Sequence, residues 1–152
     1  MKKVKLFFGI LIGLMIFSSC SSDDDSNSNS VSIVGIWKPI KEVFVCSTGN
    51  EQTSNFSTCL LMTRLTFNSD NTFNNHEYSE DTGDCLENFS NGTWTLINNN
   101  LTFNLSEVSV NPTFFDSTDN IIKIGYYNND NLLTCDNGSE LSHSYVEYIR
   151  IE

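Results

Sequence analysis

Five thiols, two imidazoles and one run of carboxylates are the groups in this sequence that could do chemistry. The thiols are Cys20, Cys46, Cys59, Cys85 and Cys135. A zinc site draws on closely spaced ligand pairs, and no C-x-x-C occurs here. The imidazoles, His76 and His143, stand far apart with no motif around them, so each reads as a residue on a strand surface. Glu77, Glu80, Asp81, Asp84 and Glu87 gather around Gly83. Hard oxygen ligands of this kind can hold Ca²⁺, but their spacing does not match the EF-hand loop, and a solvated loop is the simpler reading. No G-x-S-x-G elbow, phosphate-binding loop or H-E-x-x-H helix is present. The sequence therefore predicts a protein that is not an enzyme, with no cofactor and no metal.

Cys20 stands apart from the other cysteines because of what precedes it. Lys2, Lys3 and Lys5 give a positive start, and Leu6 to Phe17 is an unbroken apolar run. That run is shorter than the roughly 20 residues a spanning helix needs, and it reads as a secretory signal peptide over 1–19. The small pair Ser18-Ser19 before Cys20 resembles a lipobox, the site at which a lipoprotein is cut just ahead of a lipid-modified cysteine. Phe17 departs from the usual Leu of that motif. Ser21-Ser22-Asp23-Asp24-Asp25 is similar to the export signal of surface lipoproteins in some Gram-negative groups, with retention on the periplasmic face of the outer membrane as the alternative.

Residues 20–32 then form a Ser/Asp/Asn tether, too polar to bury a core. Ten such residues span roughly 17–20 Å as a flexible coil. Over the whole chain 19 acidic side chains oppose eight basic ones, and losing Lys2, Lys3 and Lys5 sharpens the imbalance. A chain this acidic argues against nucleic acid as a partner, since phosphate neutralisation needs clustered cations. Anionic headgroups would repel it as well. The membrane is thus expected as a partner only through acyl chains on Cys20.

From Ile33 onward apolar residues alternate rather than recur at a helical period. Leu65 and Phe67, Trp94 and Leu96, Leu101 and Phe103, and Ile122, Ile124 and Tyr126 mark successive strands. In the last run Tyr145, Ile149 and Ile151 share a phase with Glu147 as the exception. Asn- and Asp-rich turns separate the strands, among them Asn68–Asn71, Asn98–Asn100 and Asn128–Asn131. The pattern predicts eight or nine antiparallel strands, near 34–46, 60–67, 72–78, 90–97, 100–106, 108–114, 120–127, 131–136 and 143–151. Many short strands with tight turns give a barrel or a sandwich, here a single all-β domain over 33–152.

With Cys20 acylated, four cysteines remain, and three pairings can be drawn. The hairpin turning near Asp70 brings Cys59 and Cys85 together at its open end, which favours Cys59–Cys85. Cys46 and Cys135 are left as the second pair, which a barrel that unites its first and last strands would allow.

Several short patterns recur in order: Gly35-Ile36-Trp37, Leu65-Thr66-Phe67-Asn68-Ser69-Asp70-Asn71-Thr72-Phe73, Gly92-Thr93-Trp94-Thr95-Leu96 and Asn100-Leu101-Thr102-Phe103. Together with Cys59 and Cys85 they resemble the small lipocalin-like domain of bacterial lipoproteins. The resemblance implies an antiparallel up-and-down β-barrel whose interior takes a small apolar ligand. It also implies that Gly35 and Trp37 close one barrel end, with Trp37 packed against an arginine near the chain's end, for which Arg150 is the candidate. Asp70-Asn71 departs from the Asp-Gly often found in the family's hairpin, and the polar stretch Ser47 to Thr58 makes an unusually large first loop.

Trp37, Phe67, Phe73, Trp94, Phe103 and Tyr126 are the expected inward residues and the candidate ligand contacts. A barrel of this size is just wide enough to be filled by side chains or to hold one small molecule. The residues leave both arrangements open: a monomeric carrier with a small hydrophobic ligand, or a surface interaction module with a filled interior.

Overall fold

The computed structural model describes residues 32–129 and 133–152. The expected signal peptide, Cys20 and nearly all of the expected tether lie outside the described residues. Ten strands form one antiparallel sheet. They are β1 (Gly35–Cys46), β2 (Glu51–Asn55), β3 (Arg64–Phe67), β4 (Thr72–Asp81), β5 (Asp84–Ile97), β6 (Asn100–Asn104), β7 (Ser109–Val110), β8 (Phe114–Ser117), β9 (Ile121–Tyr127) and β10 (Leu141–Arg150). The order across the sheet is β7-β6-β5-β4-β3-β1-β10-β9-β8, with β2 added to β1. The all-β reading holds, and the meander carries last strand to first, as the barrel topology requires.

Several boundaries differ from the sequence pattern. The expected strand at 108–114 is split into β7 and β8, because Asn111-Pro112 interrupts it and proline has no N–H for a ladder. The stretch 60–67 opens with a 3₁₀ turn, Leu60–Met62, before β3 begins. Where a strand was expected at 131–136, the described residues show one isolated bridge, Thr134 with Glu140. The polar stretch 47–58 is not simply a loop, for β2 pairs with β1 from Lys41–Asn55 to Val45–Glu51. Its side chains are mostly exposed, so no apolar alternation announces it, and the backbone ladder alone defines it.

The turns follow from residues that tolerate left-handed backbone. Asn98 and Asn99, at φ 50° and 65°, make the two-residue link between β5 and β6. Consecutive positive φ angles are those of the hairpin turn whose twist matches the strands. The β4–β5 link, Thr82-Gly83, does the same at φ 51° and 93°.

The wall does not close by hydrogen bonding. Every sheet neighbour is laddered except β7 and β8, the two edges. These edges are consecutive in the chain, and the four Cα steps from Val110 to Phe114 reach at most about 14 Å. The edges must therefore face one another. The Asn99 side-chain amide donates to the Phe115 carbonyl at 3.3 Å, tying the β5–β6 turn to β8. The barrel thus has a seam where a closed wall was expected.

Two disulfides fasten the loops at the far end from Trp37: Cys46–Cys135, with Cα atoms 6.1 Å apart, and Cys59–Cys85, at 5.4 Å.

Candidate functional site

One end of the barrel is plugged. Trp37 is fully buried, and its indole N–H donates to the Ile33 carbonyl at 2.8 Å. The Arg150 guanidinium lies 4.4 Å from the Trp37 ring centre, in a cation–π contact, and also donates to the carbonyls of Val34 and Ser32. Gly35, at φ 147°, makes room for that guanidinium: a Cβ there would stand 2.7 Å from Arg150 Nη1 and 2.6 Å from the Glu152 carbonyl. Phe67 meets Trp94 edge-on at 5.4 Å and stacks on Phe103 at 5.8 Å, which in turn meets Phe73 at 4.9 Å. Aromatic packing thus fills the end that the sequence assigned to Gly35 and Trp37.

Above the plug the interior is hollow. A cavity of about 190 Å³ lies between Leu65, Phe73, Phe103, Leu105, Val110 and Ile124. It reaches β7 and β9, so it sits behind the seam. A second chamber of about 160 Å³ lies toward the mouth, among Pro39, Phe56, Leu60, Thr63, Glu77 and Val146. Asn75 and Tyr148 line both, where the two chambers adjoin. Ser90 adds a hydroxyl to the larger chamber. A wider depression of about 480 Å³ beside Gly35, Asp70 and Glu152 lies outside the plug, open to solvent, and lacks the enclosure of a small-molecule site.

Tyr148 is the larger side chain at this junction. Its phenol is pushed up to about 12, chiefly by burial and then by the nearby carboxylate of Glu77. No described residue is hydrogen-bonded to its hydroxyl.

Of the six aromatics expected to face the lumen, Phe73 and Phe103 line the larger chamber. Trp37, Phe67 and Trp94 belong to the plug and line neither chamber. Tyr126 is half exposed, at 50%, and lines neither. Tyr148 was missed because both phases of the last strand carry apolar residues. The phase of Tyr145, Glu147 and Ile149 faces outward, where Glu147 pairs with Lys41 at 3.6 Å. Val146 and Tyr148 face inward. The one signal that could have revealed this was Glu147 itself, which marks the outer phase.

Both histidines lie outside the lumen. His76 follows the inward Asn75 and so faces out, stacked on Phe89 at 4.1 Å with Nε2 3.5 Å from Glu87. His143 stacks on Phe114 at 4.6 Å, and burial holds its pKa below the ordinary imidazole value. Among the described residues no group of three or more His, Cys, Asp or Glu is placed to hold a metal ion.

Comparison with known proteins adds one result. A family model described as a lipocalin-like domain matches residues 33–147. No curated protein and no solved structure matches the chain.

Proposed function

Because this chain belongs to the lipocalin-like family, we propose that it is a membrane-anchored carrier that binds a small apolar molecule without covalent chemistry. The observation that carries this reading is the mainly apolar, partly open pocket of about 190 Å³ behind Phe73 and Phe103. It is larger than the roughly 150 Å³ cavity that accepts benzene and smaller than the roughly 300 Å³ at which drug-sized sites begin. The ligand is therefore about one ring in size, unless Tyr148 swings aside and joins the chambers. Binding draws on apolar burial, at about 25 cal/mol per Å² before association costs. The anchor is a lipid on Cys20, and Asp23-Asp24-Asp25 directs the protein to the cell surface of the outer membrane.

Two measurements test this. Solvent extraction of the purified protein followed by mass spectrometry is expected to release a small apolar molecule that is lost on Val110→Trp, which fills the chamber. An empty extract, together with no uptake of ring-sized apolar compounds, overturns the carrier reading. Metabolic labelling with a radioactive fatty acid is expected to mark the wild type and not Cys20→Ser; equal labelling overturns the anchor.

A second reading, a surface interaction module, is favoured by the long β4–β5 hairpin. There Phe89 is 66% exposed beside the outward His76. Pull-down from intact cells that recovers a partner only when Phe89 is intact would support it.

A further inference from the structure

Every cation among the described residues lies away from the two chambers. Lys38 lies opposite the outward Ile149, and Lys41 pairs with Glu147. Arg64 donates to the carbonyls of Leu61 and Thr63. Lys123 pairs with Asp116, and Arg150 is locked over Trp37. None of the five lines either chamber, whereas Glu77 lines the outer one. A bound carboxylate would find no counter-charge inside and one like charge close by. Burying an unpaired charge in an apolar site is strongly unfavourable.

The lumen is nevertheless not purely apolar. The Tyr148 hydroxyl, the Asn75 amide and the Ser90 hydroxyl project into it, and no described residue is hydrogen-bonded to any of them. These groups keep accessible surface, so their cost arises only when a guest covers them: a covered polar group without a partner costs free energy that the guest's own donor or acceptor recovers. A wholly apolar guest would seal these groups off; a guest with one hydrogen-bonding group would satisfy them.

We propose that the lumen selects an uncharged molecule, with a ring-sized apolar body seated between Phe73, Phe103 and Ile124 and one hydroxyl or carbonyl group held at Tyr148 and Asn75. The inference rests on the carrier reading above and names the chemical class of its ligand. Tyr148 is the specificity determinant: it divides guests by their polar group, while Phe73 and Phe103 set their size.

The test uses the full mature chain with Cys20→Ser, so that no lipid competes, and ligand-observed NMR titration at pH 7 with toluene, benzyl alcohol and benzoate. Benzyl alcohol is expected to bind, and benzoate to bind at least about tenfold more weakly. Tyr148→Phe removes a hydroxyl with no protein partner, so the fold is unaffected. It is expected to weaken benzyl alcohol about fivefold, as for one net hydrogen bond, and to leave toluene unchanged. If toluene binds but Tyr148→Phe changes benzyl alcohol and toluene alike, or benzoate binds as tightly as the alcohol, the carrier reading stands and this inference falls. If neither toluene nor benzyl alcohol binds the wild type, both fall together.

Discussion

At the scale of single residues, the plug and the junction between the chambers depend on different physics. Trp37 contributes buried aromatic surface, one indole hydrogen bond and the ring under Arg150. Trp37→Ala is expected to cost about 3–5 kcal/mol in denaturant unfolding, the range for deleting a buried aromatic. Arg150→Met keeps the stem over the ring and removes the charge, so it is expected to cost less, about 1–2 kcal/mol, from the cation–π contact and the carbonyl hydrogen bonds. A larger loss from Arg150→Met than from Trp37→Ala would show that the arginine, not the ring, holds the end shut. Tyr148 makes a pH prediction. Its phenol titrates near 10 in the unfolded chain and about 12 when folded, so the folded state favours the neutral form. That stability is fully present below pH 10 and is lost as pH rises toward 12. Burial also raises the Tyr78 and Tyr145 phenols, so ultraviolet titration is expected to show several late phenol transitions, of which Tyr148→Phe removes the one near 12.

At the scale of elements, turns and disulfides decide how well the hairpins hold. Thr82 sits at φ 51°, a conformation that a β-branched residue adopts at a cost, while the following Gly83 does so freely. Thr82→Asn restores the favoured Asn-Gly pair and is expected to raise stability by about 0.5–1 kcal/mol in thermal unfolding. The Cys46–Cys135 bridge closes 89 residues and Cys59–Cys85 closes 26. In the loop-entropy account the first contributes about 4–5 kcal/mol and the second about 3–4, so Cys46→Ser/Cys135→Ser is expected to lower the denaturant midpoint more. The strand pattern was legible where one face is buried, as in β3, β6 and β9. It was illegible in β2, whose polar side chains make no buried stripe; in β10 the strand itself was legible at 143–151, but its inward phase was not, because both faces carry apolar groups. Proline at 112 was visible in the sequence, and its meaning, a broken strand, was the piece left unread.

At the scale of the whole molecule, the sequence made the fold class legible and the lumen only partly so. The aromatic residues that announced an interior mostly pack against one another, because large rings at adjacent inward positions of a narrow barrel touch before they leave a space. The cavity is defined as much by smaller residues, Leu65, Leu105, Val110 and Ile124, as by rings. Nothing in their local sequence distinguishes a lining residue from a packed one. Which inward residues meet across a barrel is a property of register, and register appears only once the strands are paired.

The unladdered meeting of β7 and β8 bears on time rather than on affinity. A wall bonded everywhere else yields first where no ladder spans the gap, and the larger chamber reaches that edge at Val110. On the carrier reading proposed above, a guest would leave sideways when a short stretch of edge shifts, without the disulfides giving way. Its residence time would then be adjustable at Asn99, which lines neither chamber, so a weaker latch would quicken exchange while the equilibrium constant stayed put.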